Sequence, residues 1–412
     1  MRRAVAAATV GNALEFYDFV AFAFFAVQIG RAFFPSGDPF VSLMGSLATF
    51  GAGFVSRPLG AWVLGGYADR YGRKPAMLVS MLLMGLGIAL LALTPSYASI
   101  GLAAPVLAVI ARLIQGFALG GEIGSATTYL IEAAEEHRRG LVISLQGASQ
   151  AVAALTAALV GLGLSLALSE AALAAYGWRI ALLLGTAIVP FALVIRRALP
   201  ETLPQAPVAP SEISASYRRT VLCGLAMIGA GTTGTYIFTY MATFGQNTLH
   251  FPASVALTAQ ALIGAMQVVA TLLGGWLSDR LGRRPMMVWP ALAFVCAVVP
   301  CFAWIDATRD AGVFITAMVL LASLSFLTQA SIYATISEGL PTRIRARGFA
   351  LVYALPVSLI GGATQLIVTW LIKATGTPMA LAWYLTGAAL IGLVAMILAP
   401  ETAPVRRHLA AR

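Results

Sequence analysis

GGYADRYGRK, at residues 65–74, is answered by GGWLSDRLGRR at residues 274–284, with Asp69 and Asp279 separated by 210 positions. In both copies the Asp is followed by a Gly and a basic pair, Gly72-Arg73-Lys74 and Gly282-Arg283-Arg284. A long apolar run lies on each side of each copy. A short charged segment between two runs of membrane-spanning length reads as a loop at the membrane surface, and its repetition reads as an internal duplication.

The duplication has further landmarks. Glu132 precedes Arg138-Arg139-Gly140, and Glu338 precedes Arg343, Arg345 and Arg347-Gly348. Leu199-Pro200-Glu201-Thr202 returns as Ala399-Pro400-Glu401-Thr402. Between the copies lies a segment rich in Pro and Ser, with Pro200, Pro204, Pro207 and Pro210; proline blocks helix continuation. The expected organisation is a six-helix half at 1–198, a cytoplasmic linker at 199–218 and a second six-helix half at 219–412.

Composition agrees. The 412 residues are 59% hydrophobic and 10% charged, with a mean hydropathy of +0.87. A bilayer-spanning helix needs about 20 mainly apolar residues. Twelve such runs are expected, near 7–31, 40–66, 76–94, 102–130, 140–167, 177–197, 219–244, 254–277, 286–304, 312–336, 348–372 and 378–398. The fold class is therefore an all-α membrane protein whose twelve transmembrane helices form two six-helix pseudo-repeats. The N-terminal run carries Glu15 and Asp18, so it reads as the first span and not as a signal peptide.

The net charge of +10 follows topology. Of 26 Lys and Arg, twenty lie in alternate loops and termini on one side, four lie on the other (Arg31, Arg179, Arg309, Lys373), and Arg57 and Arg112 fall inside spans. The positive-inside rule places both termini and both repeated loops in the cytoplasm. No nucleic-acid partner is implied. Cys223, Cys296 and Cys301 lie in or near apolar spans and show no metal spacing. No GxxxxGK[ST], GxSxG or His cluster is present, so an enzyme is not expected, nor is any cofactor beyond a coupling ion.

Ionisable groups inside spans are costly and mark function. They concentrate in the first half. Asn12, Glu15 and Asp18 share one broad helix face at i, i+3 and i+6. Arg57 precedes Asp69 by 12 residues, which puts it roughly 18 Å deep. Arg112 lies near mid-depth of the fourth span, and Glu122 lies nearer the cytoplasm. A guanidinium in low dielectric needs a carboxylate, and its planar fork suits one from a ligand or from the protein. Both readings stand for Arg57 and Arg112: contact with an anionic ligand, or internal pairing with Glu15, Asp18 or Glu122. The same three acids are the candidate proton carriers. In the second half the groups are polar and uncharged, notably Gln329 and Tyr333 among Thr328, Ser331 and Thr335, with Tyr236 and Tyr353 on neighbouring spans. In the fifth span Gln146, Ser149 and Gln150 cluster. The candidate ligand-binding set is therefore Arg112, Arg57, Asn12, Gln146, Gln150, Tyr333 and Gln329. Asp69, Arg73, Asp279 and Arg283 are candidate gating residues, since an Asp at a helix end accepts hydrogen bonds from the next helix's N-terminal amides or from Arg.

GNALEFYDF (residues 11–19), IGRAFFP (29–35), RPLGAWVLGGYADRYGRK from Arg57 and RLIQGFALGGEIG from Arg112 resemble the metabolite:proton symporter family of the major facilitator superfamily. FGAGFVSRPLGA, SLQGASQAVA and GWRIALLLG resemble its citrate–proton symporter and tricarballylate transporter branch. Phe16 stands where the family often has Trp, and Gly121-Glu122-Ile123-Gly124-Ser125 where it often has Gly-Glu-Trp-Gly-Gly. The resemblance implies a monomeric inner-membrane carrier importing a tri- or dicarboxylate, citrate first, with protons by alternating access. Tricarballylate, 2-oxoglutarate, shikimate and betaine-type osmolytes are the alternatives. Asp18 with backbone carbonyls also suits sodium, and the choice of protons comes from the resemblance.

Overall fold

The computed structural model describes residues 13, 16–71, 73–120, 130, 134–186, 190, 215–341 and 345–404. Every element among them is helical. The first half comprises α1 (Phe16–Phe24) and α2 (Ala26–Phe33), bent by 73° at Phe25, then α3 (Pro39–Val55), α4 (Arg57–Tyr71), α5 (Arg73–Leu93), α6 (Ala103–Leu119), α7 (Arg139–Ala167) and α8 (Trp178–Gly185). The second half comprises α9 (Ala215–Thr243), α10 (Ala253–Leu281), α11 (Arg283–Thr308), α12 (Ala311–Phe326), α13 (Gln329–Gly339), α14 (Arg345–Pro356), α15 (Gly362–Thr375) and α16 (Met379–Leu398).

Eight of these stretches are long and apolar enough to cross a membrane, or nine with the bent α1–α2 pair as one span, among the described residues. The remaining expected spans are occupied by α5, α6 and α8. The sequence reading differs at two ends. The first span is not one straight helix. The seventh starts at Ala215 rather than 219, inside the expected linker, of which 199–214 lies outside the described residues.

Local sequence explains the ends. Asp38 caps α3, its Oδ1 accepting from the Phe40 N–H at 2.9 Å with Pro39 in the first turn; a side-chain acceptor there satisfies an amide with no intrahelical partner. Asp310 caps α12 in the same way. The α10–α11 turn needs φ of 107° at Gly282, a conformation that glycine adopts without steric cost.

The halves meet along two glycine seams, which set the position of everything between them. In the first, α7 lies against α10: a Cβ on Gly140 would stand 2.6 Å from the Gly275 carbonyl, and one on Gly275 would stand 2.5 Å from that of Gly140. In the second, α3 meets the start of α15, where a Cβ on Gly51 would stand 2.9 Å from the Gly362 carbonyl. Backbones approach this closely in membranes only where small residues line the contact.

Candidate functional site

Two arginines lie buried between the halves inside a cage of phenylalanines. Arg112 on α6 is 0% exposed and Arg57, at the start of α4, is 6% exposed. The Arg57 Cζ stands 4.1 Å from the Phe54 ring and 4.8 Å from Phe19. The Arg112 Cζ stands 4.6 Å from Phe22, 4.8 Å from the same Phe19 and 5.3 Å from Phe50. Ring faces attract a desolvated guanidinium, so the cage compensates in part for burying two like charges.

Their polar partners are few. Arg112 Nη1 donates to Gln115 Oε1 at 2.6 Å, and Asp18 Oδ2 lies 3.8 Å from Arg112 Nη1. That separation is an ion pair without a formed hydrogen bond. Tyr236, reaching over from α9, comes close to Arg57, its ring against the Phe54 ring that Arg57 covers. The Nε and Nη2 groups of both arginines and both Asp18 oxygens have no hydrogen-bond partner among the described residues. Buried polar groups are nearly always paired. Six such atoms lie together here: four guanidinium donors and two carboxylate oxygens.

Beside this cluster lies a cavity of about 100 Å³, lined by Phe16 and Gln150 of the first half and by Thr232, Tyr236, Gln329, Tyr333 and Tyr353 of the second, among others. Its polar groups are linked. Thr271 Oγ1 donates to Gln329 Oε1 at 3.2 Å and Gln329 Nε2 donates to the Tyr333 hydroxyl at 3.3 Å. Tyr353 packs edge-on against Tyr333, ring centroids 6.0 Å apart, and shares the cavity wall with Gln150 of the other half. Tyr236 connects cavity and cage: it lines the first, and its ring packs on Phe19, Phe50 and Phe54 at 6.1, 6.1 and 5.2 Å.

Of the residues expected to bind a ligand, Gln150, Gln329 and Tyr333 line the cavity, Arg57 lies close to the cavity-lining Tyr236, and Arg112 lies deeper, paired with Asp18. Gln146 is buried on α7 and is not part of the lining. Asn12, Glu15 and Glu122 lie outside the described residues, as do the side chains of Asp69 and Arg73. Reading the residues one by one missed the cage and the Tyr236 link. A signal was present: Phe19 and Phe22 follow Asp18 by one and four positions, and Phe50 and Phe54 precede Arg57 by seven and three positions.

The two ends of the inter-half seam carry different chemistry. At the basic end Asp279 accepts from the Gly140 and Leu141 amides at 2.8 and 2.9 Å. These are the first amides of α7 in the other half, where the helix dipole favours an anion. The sequence reading had looked for such amides on the next helix. Arg283 holds Asp279 from the side, Nη1 to Oδ1 at 2.8 Å, and forks onto Glu338 with Nη2 to Oε1 at 2.9 Å and Nε to Oε2 at 3.2 Å. Glu401 accepts from the Arg283 and Arg284 amides, both at 3.0 Å, and so caps α11. Glu338 and Glu401 entered the sequence reading only as repeat landmarks.

At the opposite end Gln28 Nε2 donates to Gln246 Oε1 at 2.9 Å, and the exposed Lys373 Nζ stands 3.1 Å from Asp38 Oδ2. The Phe40 amide, and then Lys373, hold the Asp38 carboxyl below the usual carboxylate range. Both ends of the seam are thus bridged between halves, and the arginine cage lies between the bridges.

The model of the Major Facilitator Superfamily matches residues 8–355 of this chain. The chain is 38% identical over 403 residues to the citrate-proton symporter of Salmonella typhi, covering 95% of this chain and 92% of that protein. It is 34% identical over 405 residues to the alpha-ketoglutarate permease of Escherichia coli, covering 96% and 93%. Among solved structures, the proton:xylose symporter XylE bound to 6-bromo-6-deoxy-D-glucose superposes with a TM-score of 0.79 at 15% identity, over 97% of this chain and 96% of that one, a likeness of fold. The repeated halves, the apolar spans and these matches agree: the chain belongs to the major facilitator superfamily of membrane transporters.

Proposed function

We propose that the protein is a proton symporter of a small tri- or dicarboxylate, citrate first, working by alternating access between its two halves. The observation that carries this reading is the buried pair Arg57 and Arg112, each keeping Nε and Nη2 donors without a hydrogen-bond partner among the described residues, in a cage that also holds Asp18 and shares Tyr236 with the polar cavity. A carboxylate is the acceptor whose geometry matches a guanidinium fork. Gln150, Gln329 and Tyr333 supply neutral donors that orient the rest of such a ligand. The relatives named citrate-proton symporter and alpha-ketoglutarate permease support the same class.

Proton coupling follows from charge arithmetic in the cage. With Asp18 ionised, Arg57 and Arg112 leave a net charge of about +1; with Asp18 protonated, about +2. At 3.8 Å the Asp18–Arg112 attraction is about 4 kcal/mol at an effective dielectric of about 20. A proton on Asp18 removes that competition and frees the Arg112 fork for a carboxylate. Proton and anion therefore favour one another's binding, which is the thermodynamic requirement of symport. Opening at either end separates contacts of the kind seen at Asp279 or at Gln28 and Asp38, as rigid halves rock about a site near mid-membrane.

The test is uptake into proteoliposomes of labelled citrate, tricarballylate, 2-oxoglutarate, shikimate and betaine under an imposed pH gradient. The reading requires citrate or another di- or tricarboxylate to accumulate and betaine not to. Accumulation of betaine alone would refute it.

A further inference from the structure

On the outer surface of the second half, α9 and α16 leave a groove of about 450 Å³ whose lining is entirely apolar, including Leu222, Cys223 and Ala226 of α9 and Leu390, Val394 and Leu398 of α16. From Leu390 to Leu398 it runs about 12 Å along the helix, close to the roughly 15 Å of hydrocarbon in one leaflet. Leu222 and Leu398 are among the exposed large apolar side chains. The groove therefore faces the bilayer and not the cavity between the halves.

One end of this groove is charged. Arg218 and Arg219 are exposed one turn before Leu222. Arg219 Nε donates to the Leu398 carbonyl at 2.7 Å, which pins the guanidinium over the mouth of the groove. That bond satisfies a carbonyl in the last turn of α16 that has no intrahelical partner, and the Arg219 Nη groups make no hydrogen bond among the described residues. Arg284 Nη2 donates to the Ile397 carbonyl at 2.6 Å, adding a second cation at the same helix end. The Glu401 carboxylate nearby accepts from the first amides of α11 and forms no ion pair with these arginine side chains among the described residues.

We propose that this groove is a binding site for an anionic phospholipid of the leaflet at the basic end, with one acyl chain along α9 and α16 and the phosphate on Arg218 and Arg219. The apolar lining selects a chain and not a soluble anion. The arginines at the headgroup level select negative charge, as basic residues beside membrane helices do. Because α16 packs against α11, which starts at the Arg283 network, a lipid seated here also braces the end of the molecule that closes through Asp279.

The test is native mass spectrometry of the full chain in detergent, titrated with phosphatidylglycerol or with phosphatidylcholine of identical acyl chains. Wild type should bind the first phosphatidylglycerol at least fivefold more tightly. The double variant R218Q/R219Q should reduce phosphatidylglycerol to the phosphatidylcholine level. Arg219→Lys, which keeps the charge, should preserve the preference, and Ala226→Trp, which fills the groove, should weaken both lipids. Equal affinities in wild type, or a preference that survives R218Q/R219Q, overturns the proposal. So does an Arg219→Lys protein as impaired as R218Q/R219Q, because the role of Arg219 is then only its bond to Leu398. Insensitivity to Ala226→Trp, or a dimer that excludes lipid, likewise overturns it.

Discussion

Replacing Asp279 by Asn tests whether the basic end of the seam is a gate. Asp279 accepts from two α7 amides of the other half at 2.8 and 2.9 Å and from Arg283 at 2.8 Å. Hydrogen bonds to a charged group contribute about 1.5–3 kcal/mol each. Asn keeps one acceptor oxygen, loses the charge, and turns an NH₂ toward one of the amides. Arg283 keeps its fork onto Glu338, so the start of α11 stays in place. The change should weaken inter-half closure by about 2–3 kcal/mol, roughly a 30- to 150-fold shift toward the open state. The assay is labelling by a membrane-impermeant maleimide of a cysteine at Ser144, in a protein whose Cys223, Cys296 and Cys301 are replaced. Ser144 is buried one turn inside Gly140, so labelling should rise at least tenfold in Asp279→Asn. Citrate affinity should stay within about tenfold, or ~1.4 kcal/mol, while net uptake falls. Unchanged labelling in a folded variant refutes the gate, and complete loss of binding refutes the separation of gate from site.

Four further outcomes follow from the geometry. Arg112→Lys should fold yet weaken citrate binding by at least about tenfold, because an ammonium cannot present a fork; unchanged affinity by isothermal titration contradicts this. Tyr236→Phe removes a hydroxyl from the wall that the cavity shares with the arginine cage and should weaken substrate binding by about tenfold, or ~1.4 kcal/mol, with little change in thermal stability. Gly51→Leu should abolish uptake, since its Cβ would fall 2.9 Å from the Gly362 carbonyl, whereas Gly163→Leu, where a Cβ meets nothing within 4 Å, should transport normally. The depressed Asp38 carboxyl gives a pH expectation. A carboxylate with a lowered folded pKa keeps its contribution above its unfolded pKa, near ~3.9, and loses it only as pH falls through the folded value. The Asp38–Lys373 contact thus persists across the pH range of uptake assays, and Asp38→Asn should leave the pH profile between about 5 and 8 unmoved.

The features legible in the sequence are those with local or periodic causes. Apolar runs of spanning length, the repeated Asp-Gly-basic loops and a charge inside a span each follow from what a bilayer tolerates. Arg57, Arg112 and Asp18 stood out for that reason, and Asp18 does meet Arg112. The partners of these groups were not legible. Asp279 meets amides 138 and 139 positions away, and Tyr236 meets Arg57 from the other half. No helical spacing encodes such pairs, because the docking of two halves along glycine seams decides them. Phe19, Phe22, Phe50 and Phe54 were hidden for another reason. In a chain this apolar, a phenylalanine stripe looks like lipid-facing or core surface until a cation is found over its rings. The structure adds that Arg57 is the one close to Tyr236, which lines the cavity.

The central claim is that a proton on Asp18 frees the arginine pair for a carboxylate. The most direct measurement is labelled citrate in proteoliposomes, with wild type and Asp18→Asn compared under an inward proton gradient and in citrate–citrate exchange without one. Wild type should concentrate citrate under the gradient without sodium. Asp18→Asn, which holds the cage permanently near the protonated charge, should exchange citrate and fail to concentrate it. Concentration by Asp18→Asn equal to wild type, or wild-type uptake that requires sodium and ignores the pH gradient, would contradict the account.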